Sequence, residues 1–174
     1  RYPPDKIALP LNFLPSNPYK DVIGCEHTLR DEKLAPDPRT PHAVQVHRAE
    51  YYALITYLDQ QIGRVLDALE KSGRDKDTVV FLTGDNGLSV GQHGFMGKQN
   101  MFEHSMKVPL LAAGPGIPKG KRIDVPVYLQ DILPTSLELA GATVPPHIQF
   151  KSLLPLIRGK STSHYDAVYG AYMK

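Results

Sequence analysis

The sequence predicts an α/β fold, and the prediction rests on one long helical pattern, two short apolar runs and their order along the chain. A helix, a buried strand, a loop, a second strand and a further helix follow one another, which is typical of α/β proteins. Strands that are apolar throughout are commonly buried on both faces of a parallel sheet. We therefore expect a mainly parallel sheet flanked by helices, with any site beyond the carboxyl ends of the strands.

The first 42 residues form a proline-rich segment that we interpret as irregular chain. Residues 43–72 are predicted to form one amphipathic helix, with Gly73 as its carboxyl-terminal cap. Its apolar positions recur at helical spacing and are Tyr51, Leu54, Ile55, Leu58, Ile62, Val65, Leu66 and Leu69. This helix is expected to open the α/β core portion, residues 43–159, and residues 160–174 are expected to begin a carboxyl-terminal part.

Two strands are predicted after the helix. Residues 78–83 are rich in β-branched side chains, and residues 108–113 form a second apolar run that Gly-Pro-Gly ends. A helix is expected over residues 129–140 with Asp131 as its cap. Residues 167–172 are expected to start another strand. The segment between the two strands contains most of the residues that carry chemistry.

Composition excludes some classes of function. The 174 residues have a formal charge of +2 and 22% charged side chains, which gives no electrostatic case for nucleic-acid binding. No run of 18 apolar residues exists to span a membrane. Cys25, the single cysteine, has no pattern of a reactive thiol around it and is interpreted as a bystander. The chain begins at Arg1 rather than Met, so we expect a processed product or a piece of a longer protein.

The stretch GDNGLSVGQHGFMGK, residues 84–98, follows the first predicted strand. Asp85 and Asn86 both offer oxygen, and an oxygen pair without thiolates suits a hard cation such as Ca²⁺ or Mg²⁺. Two ligands are too few for such a site, so others must come from elsewhere. Asp-Asn-Gly is equally an ordinary turn sequence, and from the tripeptide alone the turn is the more frequent outcome.

Lys98 and His93 lie in the same glycine-rich loop. An ammonium beside a metal ion can bind a tetrahedral oxyanion, either sulfate or phosphate. Its alternative is a solvated surface lysine, which is the more frequent fate of a single Lys. His93 has the chemistry to bind substrate, donate a proton or ligate a metal, and its alternative is to hold the loop by a hydrogen bond. Glu103 and His104 are interpreted as loop-packing groups.

The ordered combination of four segments resembles the sulfatase family of the alkaline-phosphatase-like superfamily. These segments are YYALITYLDQQIGRVLDALEKSG, TVVFLTGDNGLSVGQHGFMGKQNMFEHSMKVPLLAAGPGIPKG, LQDILPTSLELAGATVP and SLLPLIRG. The resemblance runs from about residue 43 to residue 159, and the stretch KIALPLNFLP is similar to the family's segment before the long helix. It implies a partial alkaline-phosphatase-like sandwich.

The resemblance implies roles for four residues. Asp85 and Asn86 would be metal ligands, for Ca²⁺ or alternatively Mg²⁺, and Lys98 would contact the sulfate group as the catalytic cation. His93 stands in the family's Gly-x-His-Gly loop, where it would bind substrate. His104 and Lys107 occupy positions where Glu and Arg are frequent in the family.

Several family features are absent from the sequence. Sulfatases use a formylglycine made from Cys or Ser in a C/S-x-P-x-R signature, and no such signature occurs here. The family's first acidic metal-ligand pair is missing as well. We therefore interpret the chain as an internal fragment of a sulfatase, inactive alone, whose parent hydrolyses a sulfated small molecule or glycan. Its partner would be the missing remainder of its own chain, and the resemblance alone suggests a periplasmic, secreted or lysosomal location.

Two other functions remain open at this point. A phosphodiesterase, phosphonate hydrolase or phosphatase of the same superfamily shares the fold and the metal chemistry, although Asn86 favours the calcium-type sulfatase arrangement. A non-catalytic binding module would explain the missing nucleophile. The presence of Asp85, Asn86 and Lys98 argues mildly against it, because a decayed site has no chemical need for that set.

Overall fold

The computed structural model describes residues 1–24 and 28–172. Cys25 falls outside these ranges, so its interpretation as a bystander stays a prediction. The described chain forms helices and a small sheet, as predicted for the α/β class.

The chain divides into two compact units. The first consists of Arg1–Arg74 and Asn86–Val108 with residues at the carboxyl terminus, and the second consists of Asp75–Asp85 and Pro109–Gly170. This division cuts across the single core portion that the sequence suggested. The stretch of residues 84–98 belongs to the first unit, except for Gly84 and Asp85.

Helix α1, Pro41–Lys71, is the long helix that the periodicity predicted. Thr40 begins it by accepting a hydrogen bond from the Ala43 amide at 3.2 Å, and a proline occupies its first turn. Gly73 follows with φ of 71°, a conformation that glycine adopts without the penalty of a Cβ. With 31 residues the helix is about 46 Å long.

The core of the first unit lies where the start of α1 meets the glycine loop. Val44, Val90 and Met96 are almost fully buried there, and Phe13 packs against them. Gly91 has φ of 93°, and a Cβ on it would lie 2.5 Å from a methyl group of Val44. Glycine is therefore required at this crossing, which fixes the loop against the helix.

The second unit contains strands β1, Val80–Thr83, and β2, Leu110–Ala113. They pair antiparallel, with Val80 opposite Ala113 and Thr83 opposite Leu110. The expectation of a mainly parallel sheet is therefore wrong for the strands that the described residues contain. The connection between them, residues 84–109, holds one short helix, α2, Glu103–Met106.

The strands also differ from the prediction in burial. We expected β1 to be covered on both faces, yet Leu82 is 41% exposed and its partner Leu111 is 56% exposed. An apolar run does not specify which element covers it, and no described residue covers this face fully. Residues 167–172, predicted to start a strand, form none.

Helices α3, Ile132–Leu139, and α4, Leu154–Ile157, complete the second unit. Leu154 and Leu156 of α4 are the centre of its apolar core. The sequence predicted Asp131 as the cap of this helix. Its side chain makes no capping hydrogen bond to α3, and Asp131 lies at the end of a 3₁₀ turn, Leu129–Asp131. Its carboxylate accepts the Tyr128 amide at 2.8 Å and closes the turn before the helix.

Within the described residues, no helix is both long enough and apolar enough to cross a membrane. The outer half of α1 nevertheless exposes apolar side chains: Leu54, Leu58 and Val65 are 57–68% exposed. This amphipathic stripe was predicted to be a packing face, and the described part of the chain leaves it open.

Candidate functional site

Asp85 and Asn86 come directly after β1, with Gly84 between the strand and the pair. Asp85 is the last residue of its segment in the second unit, and Asn86 is the first of its segment in the first unit. Asp85 is exposed and Asn86 is half-buried. The pair thus lies at a strand end, where the sequence predicted it.

The backbone just after Asn86 is held by a close crossing. The Gly87 amide donates to the Ser105 carbonyl at 2.8 Å. A Cβ on Gly87 would collide with the carbonyl oxygen of His104, so this position admits only glycine. Helix α2 and the turn after Asn86 are therefore in direct backbone contact.

A network of backbone bonds gives the loop its shape. The Ser89 amide donates to the Gly97 carbonyl at 2.9 Å, and the Gly91 amide donates to the Phe95 carbonyl at 2.8 Å. The buried Ser89 hydroxyl, which also lies 2.9 Å from the Gln92 carbonyl, donates to the Phe95 carbonyl at 2.8 Å. Such internal pairing makes the loop a defined structure and not a mobile connection.

Lys98 stands at the end of this loop and is half-buried. Its amide donates to the Gln99 side-chain oxygen at 3.2 Å. Its ammonium forms no ion pair or hydrogen bond with any residue that the structure describes. The nearby Asp31 carboxyl has a lowered pKa, first because Arg30 hydrogen-bonds to it and to a smaller extent because of the Lys98 charge. Lys98 therefore combines a held backbone with a cation available for an external anion.

His93 contacts two asparagines of the amino-terminal segment and Phe102, the residue just before α2. Its backbone amide donates to the Asn12 backbone carbonyl at 2.8 Å, and its ring Nε2 lies 2.9 Å from the side-chain Nδ2 of Asn12. The Asn17 side chain donates to its carbonyl at 2.9 Å. The ring stacks on Phe102 with centroids 4.4 Å apart. These contacts favour the loop-holding role, and substrate binding by His93 stays a prediction.

His104, in α2, has a buried ring nitrogen and a lowered pKa. Its Nε2 is buried and has no hydrogen-bond partner among the described residues. Its ring stacks with Phe102 at 5.7 Å and lies 5.9 Å from the His93 ring. Burial, and then the charge of His93, lowers the pKa of His104 from 6.5 to about 4. It is the loop-packing group that we predicted, and it is held neutral.

The neutral His104 makes stability depend on pH. Because its folded pKa lies below its unfolded value, the stabilisation is present above pH 6.5 and is lost as pH falls towards about 4. In the full-length protein, His104→Phe should reduce the fall in the free energy of unfolding between pH 7 and pH 4.5 by about 1–2 kcal/mol. This figure allows for solvent screening of the partly exposed ring. Urea unfolding at pH 7 and pH 4.5 measures it. His42→Phe, on an exposed position of α1, should leave the pH dependence unchanged, and an equal effect of both changes would contradict the assignment.

The described residues supply only part of a metal site. Within residues 1–24 and 28–172, no group of three or more His, Cys, Asp or Glu side chains could hold an ion. The exposed carboxylate of Asp85 and the adjacent Asn86 are hard oxygen donors, which fits two positions of a calcium or magnesium site. The donor chemistry therefore fits such an ion in part, and the remaining ligands must be external.

Glu32 and Arg39 are residues that sequence reasoning missed. Both lie in the proline-rich segment interpreted as irregular chain, and both are almost fully buried beneath the glycine loop. The sequence signal that could have indicated this pair is the presence of several opposite charges within the proline-rich segment. Lys107, one of the departures from the family pattern, is exposed and lies 3.8 Å from Glu103.

Comparison with known proteins identifies the family. The sequence model described as Sulfatase matches residues 17–142, which is most of the chain. The chain therefore belongs to the sulfatase family. It is 41% identical to an arylsulfatase K of Danio rerio over 139 residues, covering 80% of this chain and 27% of that protein. It is 32% identical to a choline-sulfatase of Rhizobium meliloti, covering 90% of this chain and 30% of that protein.

Solved structures agree with this assignment. The phosphonate monoester hydrolase of Silicibacter pomeroyi matches 90% of this chain and 32% of its own, with a TM-score of 0.73 and 27% identity. A protein solved with its substrate D-glucosamine-2-N,6-O-disulfate matches 79% of this chain and 28% of its own, with a TM-score of 0.68 and 30% identity. The α/β, partial alkaline-phosphatase-like fold is thus confirmed. The chain spans about a quarter to a third of the length of these relatives.

Proposed function

We propose that this chain is part of the catalytic domain of a sulfatase, and that the full-length protein hydrolyses sulfate esters. The observation that carries the proposal is Lys98, whose ammonium has no partner among the described residues although its loop is tightly held. A lysine in this state binds the non-bridging oxygens of sulfate and stabilises charge on the leaving oxygen as the S–O bond breaks.

The metal would be Ca²⁺, with Mg²⁺ as the alternative. Asp85 and Asn86 would hold it through oxygen, together with ligands from outside this chain. When bound, the ion supplies positive charge that polarises the ester. The attacking oxygen is expected to come from a formylglycine in another part of the protein. Residues 1–174 alone are therefore proposed to be inactive.

The substrate class is proposed to be a sulfated small molecule or sugar. A choline-sulfatase among the relatives and a structural neighbour solved with a glucosamine disulfate support it. The open apolar stripe on α1 and the greater length of the relatives support the remainder of its own chain as the partner that covers this stripe.

A second candidate is hydrolysis of phosphonate or phosphate esters. The observation that favours it is the match to a phosphonate monoester hydrolase over 90% of this chain. Both reactions place a tetrahedral anion against a lysine and a metal, so the loop geometry suits either one. They differ in the hydrolysed group, which a direct comparison of substrates separates.

The test is turnover of 4-nitrophenyl sulfate and of the matching phosphonate by the full-length protein. We expect faster sulfate hydrolysis, loss of activity on chelation and recovery with Ca²⁺. Asp85→Asn removes one ligand charge and should raise the Ca²⁺ concentration for half-maximal activity about tenfold. Asp67→Asn, exposed on α1, is the matched control and should not change it.

Three results would decide against the proposal. Faster phosphonate hydrolysis would select the second candidate. If chelation leaves the activity unchanged, the reaction does not need the proposed metal ion. Turnover by purified residues 1–174, free of other protein, would contradict the proposed inactivity of the fragment. Peptide mass spectrometry of the full-length protein adds a direct search for the formylglycine.

A further inference from the structure

A buried ion pair lies directly beneath the loop that ends at Lys98. The side chains of Glu32 and Arg39 are each 2% exposed, and the Arg39 Nη2 bonds to the Glu32 carboxylate. Burial raises the pKa of Glu32, against the opposing effects of its hydrogen bonds and of Arg39. Buried ion pairs are weak sources of stability because desolvation offsets their attraction. This pair therefore needs an explanation other than stability.

The Glu32 carboxylate binds the backbone of the loop just before Lys98. It accepts the Met96 amide at 3.1 Å. A Cβ on Gly97 would lie 2.8 Å from the Glu32 Oε1, so the carboxylate fills the space that a side chain would need. One charged group thus accepts the Met96 amide and packs against Gly97, which fixes the backbone direction into residue 98.

Arg39 completes the connection from the other side. Its Nε donates to the Gly94 carbonyl at 3.0 Å, and its Nη1 donates to the Glu32 and Ala35 carbonyls at 2.8 Å and 2.6 Å. One guanidinium therefore joins the 32–35 backbone to the same loop. Its planar set of donors makes this geometry rigid.

A second contact follows Lys98. The Gln99 side chain donates to the Asp31 carboxylate at 3.4 Å, and its oxygen accepts the Lys98 amide at 3.2 Å. Glu32 thus holds the backbone before Lys98, and Asp31 contacts the Gln99 side chain that accepts the Lys98 amide. Its long side chain is flexible, so the fixed backbone is what limits where the ammonium can lie.

We propose that Glu32, paired with Arg39, is a positioning residue that holds the Met96–Gly97 backbone so that Lys98 presents its ammonium to the substrate anion. The proposal rests on the proposed function for its effect on turnover. A displacement of about 1 Å at a reacting group is able to cost about 10²-fold in rate. A neutral amide in place of the carboxylate keeps its shape but weakens the hydrogen bond from the Met96 amide.

The test is Glu32→Gln in the full-length protein. We expect kcat for sulfate ester hydrolysis to fall about 10- to 100-fold with KM little changed. In a Lys98→Ala background the same change should add almost no further loss, because the positioned group is already gone. Hydrogen–deuterium exchange of the 94–100 segment should rise in Glu32→Gln.

The matched control is Leu154→Ala, which makes a cavity in the core of the second unit. It should lower stability without faster exchange in the 94–100 segment. Losses that are additive with Lys98→Ala, or that equal the unfolded fraction measured by circular dichroism, would overturn the positioning role. If the wild-type protein has no sulfatase activity, the proposed function fails. The exchange comparison then still decides for or against the positioning role, since unchanged exchange in Glu32→Gln would overturn it.

Discussion

Replacing Lys98 with alanine is expected to lower kcat of the full-length protein for sulfate esters about 10²- to 10³-fold. This is the loss that follows removal of a single group that stabilises charge in a transition state. The physical reason is the state of Lys98, half-buried and without an ion-pair partner among the described residues. Its ammonium is thus not engaged in an ion pair within the described part of the protein.

The measurement is steady-state kinetics with a leaving group of high pKa and one of low pKa. If Lys98 stabilises the leaving oxygen, the loss should be larger for the poorer leaving group. Lys98→Arg should recover part of the rate, because it keeps the charge in a different shape. Lys107→Ala is the matched control, since Lys107 is exposed and lies 3.8 Å from Glu103. Equal losses for both alanine variants would remove the special role of Lys98.

Replacing Asp131 with alanine is expected to destabilise the protein by about 3–5 kcal/mol. Asp131 is fully buried, and its carboxylate accepts the Tyr128 amide at 2.8 Å and the Lys151 amide at 3.1 Å. It also accepts the Tyr165 hydroxyl at 2.6 Å and lies 3.2 Å from the His164 Nε2. Burial and this carboxylate raise the pKa of Tyr165 to about 12.

The cost arises because alanine leaves several partly buried donors without this acceptor, and each unmet buried group costs about 1–3 kcal/mol. Urea unfolding of the full-length protein measures it. Asp131→Asn keeps the shape and part of the acceptance, so we expect a smaller loss. Asp124→Ala is the control, because Asp124 pairs with Arg122 at 2.8 Å on the surface. A loss below about 1 kcal/mol for Asp131→Ala would contradict its central place in this cluster.

Local patterns predicted much of the secondary structure. Helix α1 was found because its apolar residues repeat at 3.6 and Gly73 follows its end, whereas Thr40 and Pro41, which begin it, were assigned to the irregular segment. Both strands were placed within two residues of their observed starts. Their direction was not predictable, because an apolar run does not encode which way its neighbour runs.

Sequence patterns likewise predicted one part of the candidate site and missed another. The loop and its chemical residues were found from glycine spacing and from the resemblance, which both act at short range along the chain. Glu32 and Arg39 were missed because their burial depends on 50 or more residues of intervening chain folding back over them. No periodic pattern marks a charged pair that lies beneath a loop.

The crossing at Gly87 has a consequence for redesign of the proposed metal site. The carbonyl oxygen of His104 occupies the place where a Cβ on residue 87 would be. A change of ion preference therefore cannot be sought at residue 87, which is closed to any side chain by space alone.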